Sequence, residues 1–325
     1  MNLPARLSEL SDNFMIPLTH YGVLAVGGAD RDSYLQGQLT VDINALKSNQ
    51  ARHSAHCDVK GKTWSLQTVT RHQDDVLLSI EKSALEITQA QLNKYGVFSK
   101  VDIRDVSDQY TQIALRGQTV LDWFEDQDIA VPEAAMQVQG FETGVLVKLD
   151  YPENVYLLIA EQDFCQQLVE FATDNPITQY SHDVYEALAV QHGVPHVDAA
   201  HSNEYVPQMM NVQALAGIDF SKGCYMGQEV VARTRYLGRN KRAAFVFKID
   251  TAVAIDADTV VEKQLGENWR RGGAVIRHAV LGEQTWLLAV LNNDTTSEDV
   301  FRLAKSEHPT FSIEPLPYSI DDGKK

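Results

Sequence analysis

The sequence predicts an α+β protein, and three observations carry that expectation. Strand-like and helix-like segments come in runs, without the regular strand–helix alternation of a parallel sheet. Beyond Arg242 the chain carries short strand patterns only, "AAFVFKI", "GGAVIRHAVL", "QTWLLAVLN" and "FSIEPLPYSI", at the spacing of a small barrel or sandwich. The 325 residues, 44% hydrophobic and 22% charged, describe a folded chain long enough for more than one core.

Taken in order, alternation over Val23 to Val26 predicts a strand, and Asp30 an N-cap for a helix carrying Tyr34 and Leu35. Gly22 and Gly27 have P-loop spacing, but no Lys-Ser/Thr follows, which discards a nucleotide-phosphate loop. "ARHSAHCDVKGKTWSLQTVTRHQDDVLLSIEKSALE" predicts a meander with turns at "VKGK" and "RHQDD", then a helix near Ser83. "LNKYGVFSKVDIRDV" and "TQIALRG" predict strands, and "LDWFED" a return to helix. "GVLVKLDYPENVYLLIA" predicts a hairpin, "EQDFCQQLVEFATD" an amphipathic helix, and "YSHDVYEALAVQ" helical spacing. A further helix is expected from near Gly227 to before Gly238, and a domain boundary near residues 242 to 244.

Composition bounds the function. Three separated cysteines with no CxxC pair, behind an N-terminus with no apolar signal-peptide core, predict reduced thiols in a cytoplasmic protein. No uncharged apolar run approaches the roughly 20 residues of a membrane span, so no membrane partner is expected. A net charge of -16 disfavours unspecific wrapping of nucleic acid.

Against that acidic background, "SKGCYMGQEVVARTRYLGRNKR" at 221 to 242 stands out. Cys224 precedes an expected helix N-terminus, with Lys222 close by, a setting that stabilises a thiolate; it reads equally as a small buried residue. Arg233, Arg235, Arg239, Lys241 and Arg242 read as a solvated helix end, a carboxylate-tail site or a nucleic-acid phosphate site. In "RHSAHCDVK" a strand would hold His53 and Cys57 about 13 Å apart. That is far beyond zinc bonds of about 2.0 to 2.3 Å, so no metal is expected there. No GxSxG elbow supports a serine hydrolase, and nothing selects a histidine partner for a thiol one.

"KGCYMGQEVVAR" followed by "GRNKRA" resembles the signature of the YgfZ family of folate-binding, tRNA-modifying proteins, relatives of the glycine cleavage aminomethyltransferase (T protein). "YLQGQLTVDI", "AHCDVKGKTWS", "KYGVFSKV", "GVPHVDAA", "VPQMMNVQAL", "GENWRRGGAV", "LNND" and "IEPLPYS" extend the resemblance nearly end to end. It implies an aminomethyltransferase-like three-domain ring. Residues 1–242 would form a folate cradle of two interleaved subdomains, with about 48–110 inserted, and 243–325 a small C-terminal β-barrel.

The resemblance also implies a non-covalently bound tetrahydrofolate or derivative, no metal, and a role supporting iron-sulfur enzymes, including those that thiolate tRNA. Cys224 and Lys222 would be the reactive pair, and Tyr21, Tyr185, Gln191, Glu229, Arg233 and Arg239 the ligand-binding set. Gln191 stands where relatives carry Glu, and Trp64 and Ser65 where the aminomethyltransferase carries an acidic pair. The second removes an agent for general acid–base work. A folate-dependent one-carbon transferase and a direct tRNA-binding module using Arg233 to Arg242 with Arg270 and Arg271 are the alternatives.

Overall fold

The computed structural model describes residues 1–236, 238, 240–256, 259–304 and 309–320. Three sheets surround one helix, His182–Gln191, whose residues Val184 to Val190 are all buried. A helix apolar nearly all round has no solvent face to offer, so it becomes the axis of the molecule.

The first sheet orders its strands Thr178–Gln179, Phe14–Pro17, Tyr110–Arg116, Tyr156–Glu161, Gly144–Lys148 and Val138–Phe141. Between its adjacent strands Phe14–Pro17 and Tyr110–Arg116 the chain leaves to build a second sheet, ordered Arg52–Cys57, Thr63–His72, Asp75–Glu81, Tyr21–Gly27 and Asp102–Asp105. This sheet is not confined to 48–110: its strand Tyr21–Gly27 lies upstream and pairs with Asp75–Glu81 and Asp102–Asp105. The third sheet is ordered Phe301–Leu303, Val260–Leu265, Asn268–Val280, Thr285–Asn292, Arg242–Ile249 and Ile313–Glu314.

Strand alternation explains how the sheets share a core. Phe14 and Ile16, Val23 and Ala25, and Ala244 and Val246 all join one central cluster with the His182–Gln191 helix. Their neighbours point the other way. Met15 packs against Trp123 and Phe124, Leu24 and Val26 against Leu35 and Leu92, and Phe245 and Phe247 join Phe301 and Phe311 inside the third sheet. Each sheet therefore has an inner face toward the axis and an outer face with its own core.

Some local expectations change. "LNKYG" is the end of helix Leu85–Gly96, not strand, because Leu85, Thr88 and Leu92 bury one helical face. Asp30 does not cap Arg31–Gln36; its carboxylate accepts the Lys100 N–H at 2.7 Å, tying two loops together. The last strand shrinks to Ile313–Glu314, since prolines at 315 and 317 lack the N–H a ladder needs. Among the described residues no helix is long and apolar enough to cross a membrane.

Candidate functional site: a throat between three sheets

Where the three inner faces meet the axial helix, packing is incomplete and leaves a narrow throat. Tyr21 begins its strand, Tyr185 lies on the axial helix, Tyr151 follows strand Gly144–Lys148, and Arg277 comes from Asn268–Val280. His53, Gln67, His196 and Leu215 complete the part of the wall that matters here.

One buried charge network organises it. The Arg277 guanidinium donates to both Glu186 oxygens, at 2.7 and 3.0 Å, to the Tyr21 hydroxyl at 2.8 Å and to the Val194 carbonyl at 2.9 Å. Tyr21 donates to Glu186 at 3.3 Å, and His182 Nε2 lies 3.0 Å from the same carboxylate. Burial by itself would raise the Glu186 pKa, but Arg277 and His182 overcome it and hold the carboxyl well below its ordinary range. Burial pushes the Tyr21, Tyr151 and Tyr185 hydroxyls up, so all three stay protonated. It pushes His53 and His196 down to about 4, so both are neutral at pH 7.

Two further pockets adjoin the throat. His53, Tyr151 and Val194 also line a vestibule that carries Arg52, Lys148, Asp150 and His192. His196 also lines a chamber holding His20, His182, His201 and His278 with Glu81, Asp183 and Asp198. Among the described residues no group of three such side chains is placed to hold a metal ion.

A flat, hydrogen-bonding heterocycle suits this throat. Aromatic faces line it, and Gln67 Nε2 is buried without a protein partner, a donor left over by the fold. Tyr21 and Tyr185 both line it, yet their rings stand at 90° with centroids 5.7 Å apart. One flat ring can therefore lie parallel to one of them and must meet the other edge-on.

The remaining expected residues lie elsewhere. Gln191 ends the axial helix and lines neither the throat nor the two adjoining pockets. Lys222 is 7% exposed, and its Nζ donates to the Gln36, Leu39 and Val41 carbonyls at 2.8, 2.7 and 2.7 Å. An ammonium has three donors, so Lys222 is a strut for that loop rather than an activator of Cys224. Burial draws its pKa down to about 8 against the pull of Asp42 and Asp219. Cys224 is exposed, which removes the reading as a small buried residue.

Helix Gln228–Tyr236 does begin after Gly227. On it Glu229 and Arg233 pair at 3.1 Å on the surface, outside the throat. Arg239 lies outside the described residues. Glu186, Arg277 and Tyr151 escaped the sequence reading, although a lone charge inside the apolar runs "YEALAV" and "GGAVIRHAVL" is a usable signal.

Residues 240–306 match the family model described as "YgfZ, beta-barrel domain". A "tRNA-modifying protein YgfZ" of Yersinia pestis (strain Pestoides F) is 38% identical over 323 residues, covering 99% of this chain and 95% of that one. Its namesake from Colwellia psychrerythraea is 34% identical over 315 residues, covering 97% and 96%. Among solved structures, the glycine cleavage system aminomethyltransferase T of Bartonella henselae superposes with a TM-score of 0.75 at 15% identity, covering 96% of this chain and 88% of that one. At that identity the likeness concerns the fold: mixed α+β with a C-terminal half-barrel.

Proposed function

The chain belongs to the YgfZ family, and on that premise we propose that it is a folate-binding accessory protein supporting iron-sulfur enzymes and tRNA modification. The observation that carries this reading is the throat, with Tyr21, Tyr151 and Tyr185 around an unpartnered Gln67 amide and one flank of Arg277. A tetrahydrofolate pteridine would stack on one tyrosine, meet another at its edge and accept or donate through Gln67. Arg277 spends four donor contacts on Glu186, Tyr21 and Val194, which fixes its guanidinium at the throat wall. When bound, the folate would supply one-carbon or redox chemistry; the chain's own residues bind and orient it.

The transferase alternative draws no support from the throat. Among the described residues no carboxylate lines it; Glu186, behind Arg277, is held as that residue's partner, and taking a proton there would break the pair. Ser65, where the aminomethyltransferase would place an acid, is buried and bonded to Gln67 at 3.1 Å.

Anaerobic calorimetry with tetrahydrofolate tests the reading. Wild type is expected to bind, and Tyr185→Ala to lose about tenfold, roughly 1.4 kcal/mol. No heat from wild type at millimolar ligand would reject it.

A further inference from the structure

A second feature lies on the outer surface, beginning three residues along the chain from the exposed Cys224. The turn Asp58 to Lys62 packs directly on the start of helix Gln228–Tyr236. A Cβ on Gly227 would sit 2.5 Å from the Asp58 carbonyl, and one on Gly61 2.9 Å from Val230. Just beyond the turn, Thr63 donates its N–H to the Tyr205 carbonyl at 2.8 Å and accepts from Asn203 at 2.7 Å. The loop carrying Tyr205 is thereby fixed beside the turn that carries Lys60 and Lys62.

The third sheet brings arginines to the same place. Ala244, Val290 and Ala274 form one row across three neighbouring strands, so two residues back Arg242 and Asn292 stand in line with Gly272, next to Arg271. Asn240 donates its side-chain amide to the Gln208 carbonyl at 3.1 Å, which brings the chain just before Arg242 to the loop that carries Tyr205; burial raises the Tyr205 phenol, and Arg242 and Arg271 draw it down. His201 stacks on Tyr205 from its other neighbourhood, ring centroids 6.4 Å apart at 28°. Asn293 donates to the Lys241 carbonyl at 3.0 Å, which holds Lys241 at the same end of the sheet.

Lys60, Lys241, Arg242 and Arg271 are exposed and Lys62 is half-buried, and among the described residues none of the five forms an ion pair. Elsewhere in this acidic chain arginines are commonly matched: Arg52, Arg71, Arg104, Arg277 and Arg302 each have a carboxylate. Five unmatched cations on segments that adjoin the loop of a half-buried tyrosine, in a protein of net charge -16, are complementary to a polyanion with aromatic groups of its own.

We infer that Lys60, Lys62, Lys241, Arg242 and Arg271, beside Tyr205, form a docking face for an unpaired stretch of RNA. The cations meet phosphates, and Tyr205 offers an aromatic surface to one splayed base. The acidic remainder of the surface confines the footprint to a few nucleotides. This inference rests on the tRNA side of the proposed function and is independent of the folate side.

Fluorescence anisotropy of a labelled, unmodified tRNA transcript, titrated with the full-length protein at several salt concentrations, tests it. Binding by wild type is expected to weaken with salt. The Arg242→Gln/Arg271→Gln variant should bind at least tenfold more weakly at low salt. The slope of log K against log salt should shrink by about 1.4 to 1.8, the value for two lost phosphate contacts. Tyr205→Ala should weaken binding and leave the slope unchanged.

Four results would overturn the inference: no salt-dependent binding by wild type, an unchanged slope in the double variant, an equal loss in Lys94→Gln/Lys100→Gln, or displacement by poly-glutamate as readily as by a single-stranded oligonucleotide. Tetrahydrofolate calorimetry on the same double variant keeps the two readings separable. Folate binding retained with RNA binding lost supports the docking face; folate binding lost in wild type fails the folate reading alone.

Discussion

Two arginine–carboxylate pairs of this molecule have nearly the same geometry and opposite meaning. Arg277 and Glu186 meet at 2.7 Å with side chains 2% and 7% exposed, Arg277 in the wall of the throat and Glu186 behind it. Arg233 and Glu229 meet at 3.1 Å with side chains 53% and 83% exposed, on a surface helix. In water the second pair gains little, because solvent and salt screen both charges. In the throat each charge has lost its hydration, so neither can be removed without stranding the other. The motif-rich stretch drew attention to Arg233, whereas the arginine with structural consequence sits alone in an apolar strand.

The largest test of that contrast is Arg277→Met, which leaves Glu186 buried without its cation and should cost about 3–5 kcal/mol in urea unfolding. A cost under about 1 kcal/mol would mean that Tyr21 and His182 satisfy the carboxylate by themselves, and the contrast would collapse. A buried group with no partner gives a different signature. His56 is fully buried, neither ring nitrogen has a hydrogen-bond partner, and burial depresses its pKa to about 4. Below about 6.5 the unfolded chain takes up a proton there, while the folded chain does not until about 4. Stability should therefore fall with pH across that window, by about 1.4 kcal/mol per pH unit from this residue. His56→Leu should flatten the profile of unfolding free energy measured from pH 7 to 4.5, and an unchanged slope would show that His56 titrates normally. The smallest effect is expected from Arg233→Ala, under about 0.5 kcal/mol by denaturation and none on tetrahydrofolate affinity. A tenfold loss of folate would place the surface helix in the ligand site after all.

Much of the architecture was readable along the chain. The strands at Val23 to Val26, the meander, the hairpin ending in "VYLLIA" and the strand runs after Arg242 follow from alternation, because a strand's two faces differ in what they bury. The end of helix Leu85–Gly96 is not legible in the sequence because its last turn, with Tyr95 and Gly96, has weak helical propensity that the packing of Leu92 overrides. The candidate site was less legible. Tyr21 and Tyr185 do line the throat, but Gln191, at the end of the same helix as Tyr185, does not, and Lys222 spends its charge on three carbonyls.

What composition, periodicity and motif spacing established was local and additive: an α+β chain, its acidic character and its basic segment around Cys224. Folding decided which of those residues meet. Tyr21 and Arg277 are 256 positions apart and share a hydrogen bond, and Glu186, 91 positions from Arg277, completes the network. No pattern within one segment encodes such a meeting, since it depends on three sheets closing on one helix and on the loss of water that turns an ordinary ion pair into an obligatory one.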